Sequence, residues 1–114
     1  MSQTAMDVAA FTEMKELMGD SFKEILAMCL QSLPDQLNEI ESAIRNQSAD
    51  TLFSASHKMK SSSGSIGAFG LAEKAEIIEL IGRDGSTDVP EQALNELRHA
   101  TEQVVSILNT ELNN

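Results

Sequence analysis

The chain has 114 residues, of which 18 are acidic and 8 are basic, so its formal net charge is -10. This balance argues against a surface that binds nucleic-acid phosphates, which needs clustered Lys and Arg, and it disfavours binding to anionic membranes. No apolar run approaches the roughly 20 residues of a membrane span, and residues 1–10 lack the basic and apolar regions of a signal peptide. We therefore expect a cytoplasmic protein.

The apolar composition favours helices over sheets. Hydrophobic residues make up 41% of the chain, yet Trp and Tyr are absent and Phe occurs only four times. The core must therefore be built from Leu, Ile, Met and Ala. One domain of this length can bury such a core without a metal or a disulfide. The single Cys29 is expected to be a buried structural thiol.

The first predicted elements are a loose tail and a short helix. Residues 1–6 are predicted to form a flexible tail, and residues 7–112 a single helical domain. Asp7 is suited to cap a short helix that ends at Gly19, because glycine tolerates the left-handed conformation just past a helix end. One side of this helix is apolar: Val8, Phe11, Met14 and Met18.

The second predicted helix has the clearest pattern in the chain, and Asp20 is its predicted cap. Its apolar residues recur at alternating spacings of three and four: Phe22, Leu26, Cys29, Leu33, Leu37, Ile40 and Ile44. Pro34 interrupts this stripe without shifting its phase. We therefore predict one helix that bends near residue 30, rather than two helices.

Two further helices follow a polar break at Asn46 and Gln47. Ser48 is predicted to cap a third helix that runs to about residue 65. Its buried line consists of Leu52, Met59 and Ile66. A fourth helix is predicted from about Phe69 to Ile81. Its predicted buried residues are Leu71, Ala75 and Ile78, together with parts of Ile77 and Ile81.

A turn-rich segment at residues 82–87 is predicted to connect to the last helix. Asp88 and Glu91 form the pattern of a capping box, with Pro90 in the first turn. The apolar stripe of this helix consists of Leu94, Leu97, Thr101, Val104, Val105, Leu108 and Leu112. No segment alternates with the period of a strand. The sequence thus predicts an all-α fold, an antiparallel up-down four-helix bundle with a short additional N-terminal helix as a lid. We expect a monomer, because one bundle uses all the apolar stripes.

The third helix carries the candidate functional site. Four of its residues recur at i, i+3, i+4 and i+7 and so share one face: His57, Lys60, Ser61 and Gly64. A neutral imidazole nitrogen is a good nucleophile near neutral pH. If His57 accepted a phosphoryl group, Lys60 could stabilise the new charge and Ser61 could donate a hydrogen bond. Gly64 inside a helix costs about 1 kcal/mol against alanine, which close approach by a partner would explain.

Each of these residues also has an ordinary explanation. A lone histidine on a helix is usually only solvated, and Lys58 and Lys60 could be surface charge. The small residues 61–63 could simply let helices pack closely, and Phe53 is more often a core residue than a docking residue. The spacing alone does not decide between these explanations.

The segment from His57 to Ala68, followed by Leu71, resembles the signature of histidine-phosphotransfer (HPt) domains, which is roughly H-x-[apolar]-K-G-[small]-[small]-x-x-[apolar]-G-x-x-x-L. The upstream segment 18–22 and the bundle layout are also similar, so the resemblance spans most of residues 7–112. It implies a phosphorelay intermediate that carries a phosphoryl group to or from the aspartate of a receiver domain. Such domains belong to response regulators and hybrid sensor kinases.

The resemblance also implies roles for single residues. His57 matches the phosphorylated histidine, Lys60 the lysine that supports the phosphoryl group, and Gly64 the position that lets a receiver domain dock. Ser61 departs from the usual glycine. Glu79 matches a polar residue, 22 positions after the histidine, that can hydrogen-bond the imidazole; a solvated glutamate is the alternative. The expected partner contacts are Phe53, Lys58, Ser61 and Gly64.

The chain has no glycine-rich ATP loop and is too short to include a kinase ATPase domain, so we expect no autophosphorylation. No cofactor is expected, and Mg2+ should be held by the partner receiver domain. A competing hypothesis is a non-catalytic helical adaptor that binds receiver domains without being phosphorylated. Another is a metal–carboxylate bundle, for which Glu96 and His99 supply one Glu-x-x-His pair but no second pair exists.

Overall fold

The computed structural model describes residues 5–113, which contain five α-helices and no strand. The helices are α1 (Val8–Met18), α2 (Asp20–Arg45), α3 (Ala49–Gly64), α4 (Phe69–Arg83) and α5 (Glu91–Leu112). None of these helices is long and apolar enough to cross a membrane.

Helices α2 to α5 form the predicted antiparallel bundle. Helix α3 packs between α2 and α4, and α5 closes the ring by packing on α2 and α4. Helix α1 packs on α2, and its Lys15 pairs with Glu111 of α5 at 3.0 Å. The predicted apolar stripes supply the bundle core. Its largest fully buried apolar residues are Phe22, Leu26, Leu33, Ile40, Leu52, Met59, Ile66, Leu71, Ile78, Leu97 and Leu108. The all-α prediction is therefore confirmed.

Helix α1 is held at both ends as predicted. The side chain of Asp7 accepts a hydrogen bond from Ala10 N at 3.0 Å, and Gly19 follows the helix with a φ of 57°. The backbone N–H of Asp7 also donates to the carbonyl of Gly67, which ties α1 to the turn after α3. Val8 was predicted on the apolar side but is 70% exposed, because it lies at the first position of the helix.

The predicted tail falls only partly within the described residues, since residues 1–4 lie outside them. Met6 is buried with 4% exposure, and the carbonyl of Ala5 accepts a hydrogen bond from Leu71 N. These contacts place Ala5 and Met6 against the domain.

Helix α2 runs through Pro34 without interruption, which confirms the prediction of one helix. Its predicted cap is wrong: Gly19 occupies the N-cap position, and Asp20 is the first helical residue and makes no capping bond. Gly19 thus ends α1 and begins α2, which leaves no separate position for Asp20. Cys29 is buried as predicted, and burial raises the pKa of its thiol.

Three further predictions concern the ends of α3, α4 and α5. The cap at Ser48 is confirmed, because its side chain accepts from Thr51 N. Helix α4 continues to Arg83, so Gly82 is helical and not part of a loop. The capping box is absent, because Pro90 is the N-cap residue of α5 and no side chain caps this end.

Candidate functional site

His57 lies on the outer side of α3 and contacts a carboxylate from the neighbouring helix. Its side chain is 54% exposed, and its Nδ1 lies 2.7 Å from Oε2 of Glu79 on α4. An ionised carboxylate can only accept hydrogen bonds, so Nδ1 carries the proton in this contact. The lone pair of the neutral imidazole is then on Nε2. The ring therefore has one nitrogen held by the protein and one with a free lone pair.

Lys60, one turn after His57, binds the other oxygen of the same carboxylate. Its Nζ lies 2.6 Å from Glu79 Oε1, and its side chain is 31% exposed. An ammonium group has three donors, and the contact with Glu79 uses one of them. Lys60 can therefore hold Glu79 and still donate to a group outside the protein.

Glu79 is the buried centre of this cluster. Its side chain is 1% exposed, so the alternative of a solvated glutamate does not hold. Burial raises the pKa of the Glu79 carboxyl, but the hydrogen bonds from Lys60 and His57 and the positive charge of Lys60 more than offset this, so its pKa lies below the ordinary value of 4.5. Glu79 is thus ionised at neutral pH. A buried carboxylate without such partners would cost several kcal/mol.

Phe53, one turn before His57, completes the surroundings of the imidazole. The two rings are stacked, with centroids 5.9 Å apart and an angle of 20° between their planes. Phe53 is half-buried. The sequence predicted Phe53 as a partner contact, and the structure places its ring against His57.

Two residues at the end of α4 were missed by the sequence reasoning. Arg83 Nη2 lies 3.6 Å from Glu79 Oε2, and its Cζ lies 5.7 Å from the centroid of the Phe53 ring. Gly82 packs against the backbone of Phe53, where a Cβ atom would lie 2.7 Å from the nitrogen. Arg83 follows Glu79 by four residues, a spacing typical of helical ion pairs, but the predicted loop at residues 82–87 concealed it.

The remaining predicted residues lie on the surface of α3. Lys58 and Ser61 are exposed. A Cβ atom added to Gly64 would meet nothing within 4 Å, so this position faces open space. Gly64 is, however, the last residue of α3 and not an interior one. The predicted helix-interior cost is therefore wrong, because glycine is well tolerated where a helix ends.

The other histidine lies elsewhere in the bundle. His99 is exposed and lines a groove of about 710 Å³ between α4 and α5, together with Glu96 and Lys74. Glu96 Oε2 lies 3.7 Å from Lys74 Nζ. Within residues 5–113, no group of three or more His, Cys, Asp or Glu side chains is arranged to hold a metal ion.

Comparison with known proteins gives a family and a fold. A family model described as "Hpt domain" matches residues 24–107, more than half of the chain. The structure of histidine-containing phosphotransfer protein B (HptB) from Pseudomonas aeruginosa PAO1 is similar, with a TM-score of 0.87 and 20% identity over 98% of this chain and 97% of that one. The HPT domain of the Hpt sensor hybrid histidine kinase from Shewanella has a TM-score of 0.80 and 20% identity, over 96% and 95% of the two chains. No curated protein matches.

Proposed function

Because the chain belongs to the Hpt domain family, whose role is histidine phosphotransfer in phosphorelays, we propose that it carries a phosphoryl group on His57 to or from the aspartate of a receiver domain. The observation that carries this proposal is the contact of His57 Nδ1 with the buried Glu79 carboxylate at 2.7 Å, on a histidine that is 54% exposed. This contact leaves the Nε2 lone pair free on a side chain that a partner can reach.

The transfer step follows from this arrangement. The Nε2 lone pair attacks the phosphorus of a receiver aspartyl phosphate and forms the N–P bond. The P–O bond to the aspartate breaks, and its electron pair leaves with the aspartate carboxylate. No proton needs to move, because the ring keeps its proton on Nδ1 and becomes positively charged. Glu79 accepts the hydrogen bond from this proton and stabilises the charge on the ring.

Lys60 has the complementary role on the phosphoryl side. The transferred group carries negative charge on its oxygens, and most of the catalysis of such a transfer is positioning and charge stabilisation. With one donor on Glu79 Oε1, Lys60 directs its remaining donors to a phosphoryl oxygen. The link between Lys60 and Glu79 holds the ammonium group beside the imidazole before the phosphoryl group arrives.

The partner in this proposal is a receiver domain of a response regulator or of a hybrid sensor kinase. The docking surface comprises the exposed side of α3 around His57, and its proposed partner contacts are Phe53, Lys58, Ser61 and Gly64. The open space at Gly64 supports close approach by the partner. We expect the receiver domain to bring the Mg2+ ion, and the protein to act as a monomer in the cytoplasm.

The test uses the two histidines of the chain as a matched pair. Purified receiver domains are phosphorylated with radiolabelled acetyl phosphate and mixed with the protein, and the label on the protein is followed with time. The wild type and His99→Gln should both accept the label, and His57→Gln should not. Labelling of His57→Gln would refute the assignment. If no variant is labelled while binding to a receiver domain survives His57→Gln, the protein is the non-catalytic adaptor instead.

A further inference from the structure

Arg83, the last residue of α4, touches both groups that contact the imidazole of His57. Its Nη2 lies 3.6 Å from Glu79 Oε2, the same oxygen that accepts the hydrogen bond from His57 Nδ1. Its Cζ lies 5.7 Å from the centroid of the Phe53 ring, which stacks on the imidazole. The Arg83 side chain thus connects Glu79 and Phe53, the two residues that contact the His57 ring.

We infer that Arg83 is a positioning residue for His57, a role that rests on the proposed function. It restrains the Glu79 carboxylate and the Phe53 ring, and through them it orients the imidazole so that Nε2 faces the partner. The terminal torsion of a glutamate is broad, so the orientation of its carboxylate depends on the groups that contact its two oxygens. Lys60 holds Oε1, and Arg83 adds a contact at Oε2, the oxygen that the imidazole itself contacts.

Arginine suits this position better than lysine would. Its planar guanidinium can stack on an aromatic face while one of its N–H groups is directed at a carboxylate. A lysine would keep the positive charge beside Glu79 but would lose the contact of the guanidinium group with the Phe53 ring. Because phosphoryl transfer requires the attacking nitrogen to be in line with the breaking bond, small rotations of the ring slow the transfer.

A purely structural role is the competing explanation. A basic residue in the last turn of a helix interacts favourably with the helix dipole, and Arg83 would do so without any effect on His57. Both roles predict a small loss of stability when Arg83 is replaced. Only the positioning role predicts a change at the His57 ring itself, so the ring must be observed directly.

The experiment compares Arg83→Gln and Arg83→Lys with Arg98→Gln as a control. Arg98 is also an arginine paired with a glutamate, Glu41, at 2.6 Å, but this pair joins α5 to α2. The first measurement is nitrogen NMR of the His57 ring, which reports which nitrogen carries the proton. The second is the initial rate of phosphoryl transfer from a phosphorylated receiver domain, at saturating and at low receiver concentration.

In Arg83→Gln, we expect a smaller fraction of the Nδ1-protonated form and a transfer rate at saturation that is about threefold to fivefold lower. The effect is modest because the side chain of Arg83 is 57% exposed and its ion pair is partly screened. Arg83→Lys should recover part of both effects, and Arg98→Gln should match the wild type.

Wild-type ring signals in Arg83→Gln would overturn the inference, even if the rate falls, because Arg83 would then act on the partner or on stability alone. An effect of equal size in Arg98→Gln would also overturn it. The NMR measurement needs no phosphoryl donor, so its outcome is independent of the proposed function. Failure of the proposed function appears instead as absence of label on the wild type.

Discussion

Gly82 is predicted to set the distance between α3 and α4 at the site. A Cβ atom in Gly82→Ala would lie 2.7 Å from Phe53 N, 3.0 Å from Phe53 Cα and 3.1 Å from Ala49 O. All three are backbone atoms, so no side-chain rotation can relieve the overlap. Ordinary contact begins at 3.4 Å, so the two helices must separate here by about 0.7 Å.

The expected cost of this separation follows from two opposing effects. Overpacking of a buried site costs roughly 1–3 kcal/mol. Alanine recovers up to about 1 kcal/mol of helix propensity, and less near the end of a helix. The net loss in unfolding free energy is about 1–2 kcal/mol, which lowers the Tm by roughly 5–12 °C for a domain of this size.

The separation of α3 and α4 should also change the geometry of the candidate site. Phe53 lies one turn before His57 on α3, and Glu79 lies one turn before Gly82 on α4, so the contact between His57 and Glu79 should lengthen. Thermal unfolding followed by circular dichroism measures the first effect, and nitrogen NMR of the His57 ring measures the second. Gly64→Ala is the matched control, because nothing lies within 4 Å of its added Cβ atom. If Gly82→Ala is as stable as the wild type, Gly82 does not determine this spacing.

Two further predictions concern groups that titrate. The pKa of Glu79 is lowered in the folded state, so its ionised form contributes stability above the ordinary value of 4.5, and this contribution is lost as the pH falls through the folded value. Urea unfolding from pH 7 to pH 3 should therefore show that wild type and Glu79→Gln converge as the pH falls; parallel curves would contradict this. Cys29 is 7% exposed and burial raises the pKa of its thiol, so a disulfide reagent at pH 8 should modify the native protein far more slowly than the urea-unfolded chain. Equal modification rates in the native and the unfolded protein would show that the native protein readily exposes Cys29.

The helices could be predicted from the sequence because their signals are local. The apolar stripe of α2 continues past Pro34 in phase, and the structure has one helix there. The errors lie at helix ends. Asp20 and Asp88 have the residue type of a cap, but Gly19 and Pro90 occupy the N-cap positions. Where a helix begins depends on how the chain turns into its neighbour, and residue type reports this only weakly.

In the candidate site, too, the sequence predicts the features that are local to one helix and misses those that depend on how two helices pack. The shared face of His57 and Lys60 follows from helical periodicity, which the sequence contains. The burial of Glu79 depends on the register between α3 and α4, and periodicity within one helix carries no information about that register. Glu79 was identified through the family resemblance alone. Arg83 was missed because the predicted end of α4 came before it, although its spacing from Glu79 is local.

The Glu79 carboxylate contacts Lys60 and Arg83 as well as His57. This arrangement suits a carrier that must release its phosphoryl group as readily as it accepts it. If His57 is the phosphoacceptor, Glu79 stabilises the positive ring of the phosphorylated form. A carboxylate devoted only to His57 would favour that form strongly and slow the return transfer. Here Lys60 and Arg83 also bind the carboxylate, at 2.6 Å and 3.6 Å, and part of its charge is already compensated before transfer. The difference in free energy between the two states of His57 is thereby reduced, which favours transfer in both directions.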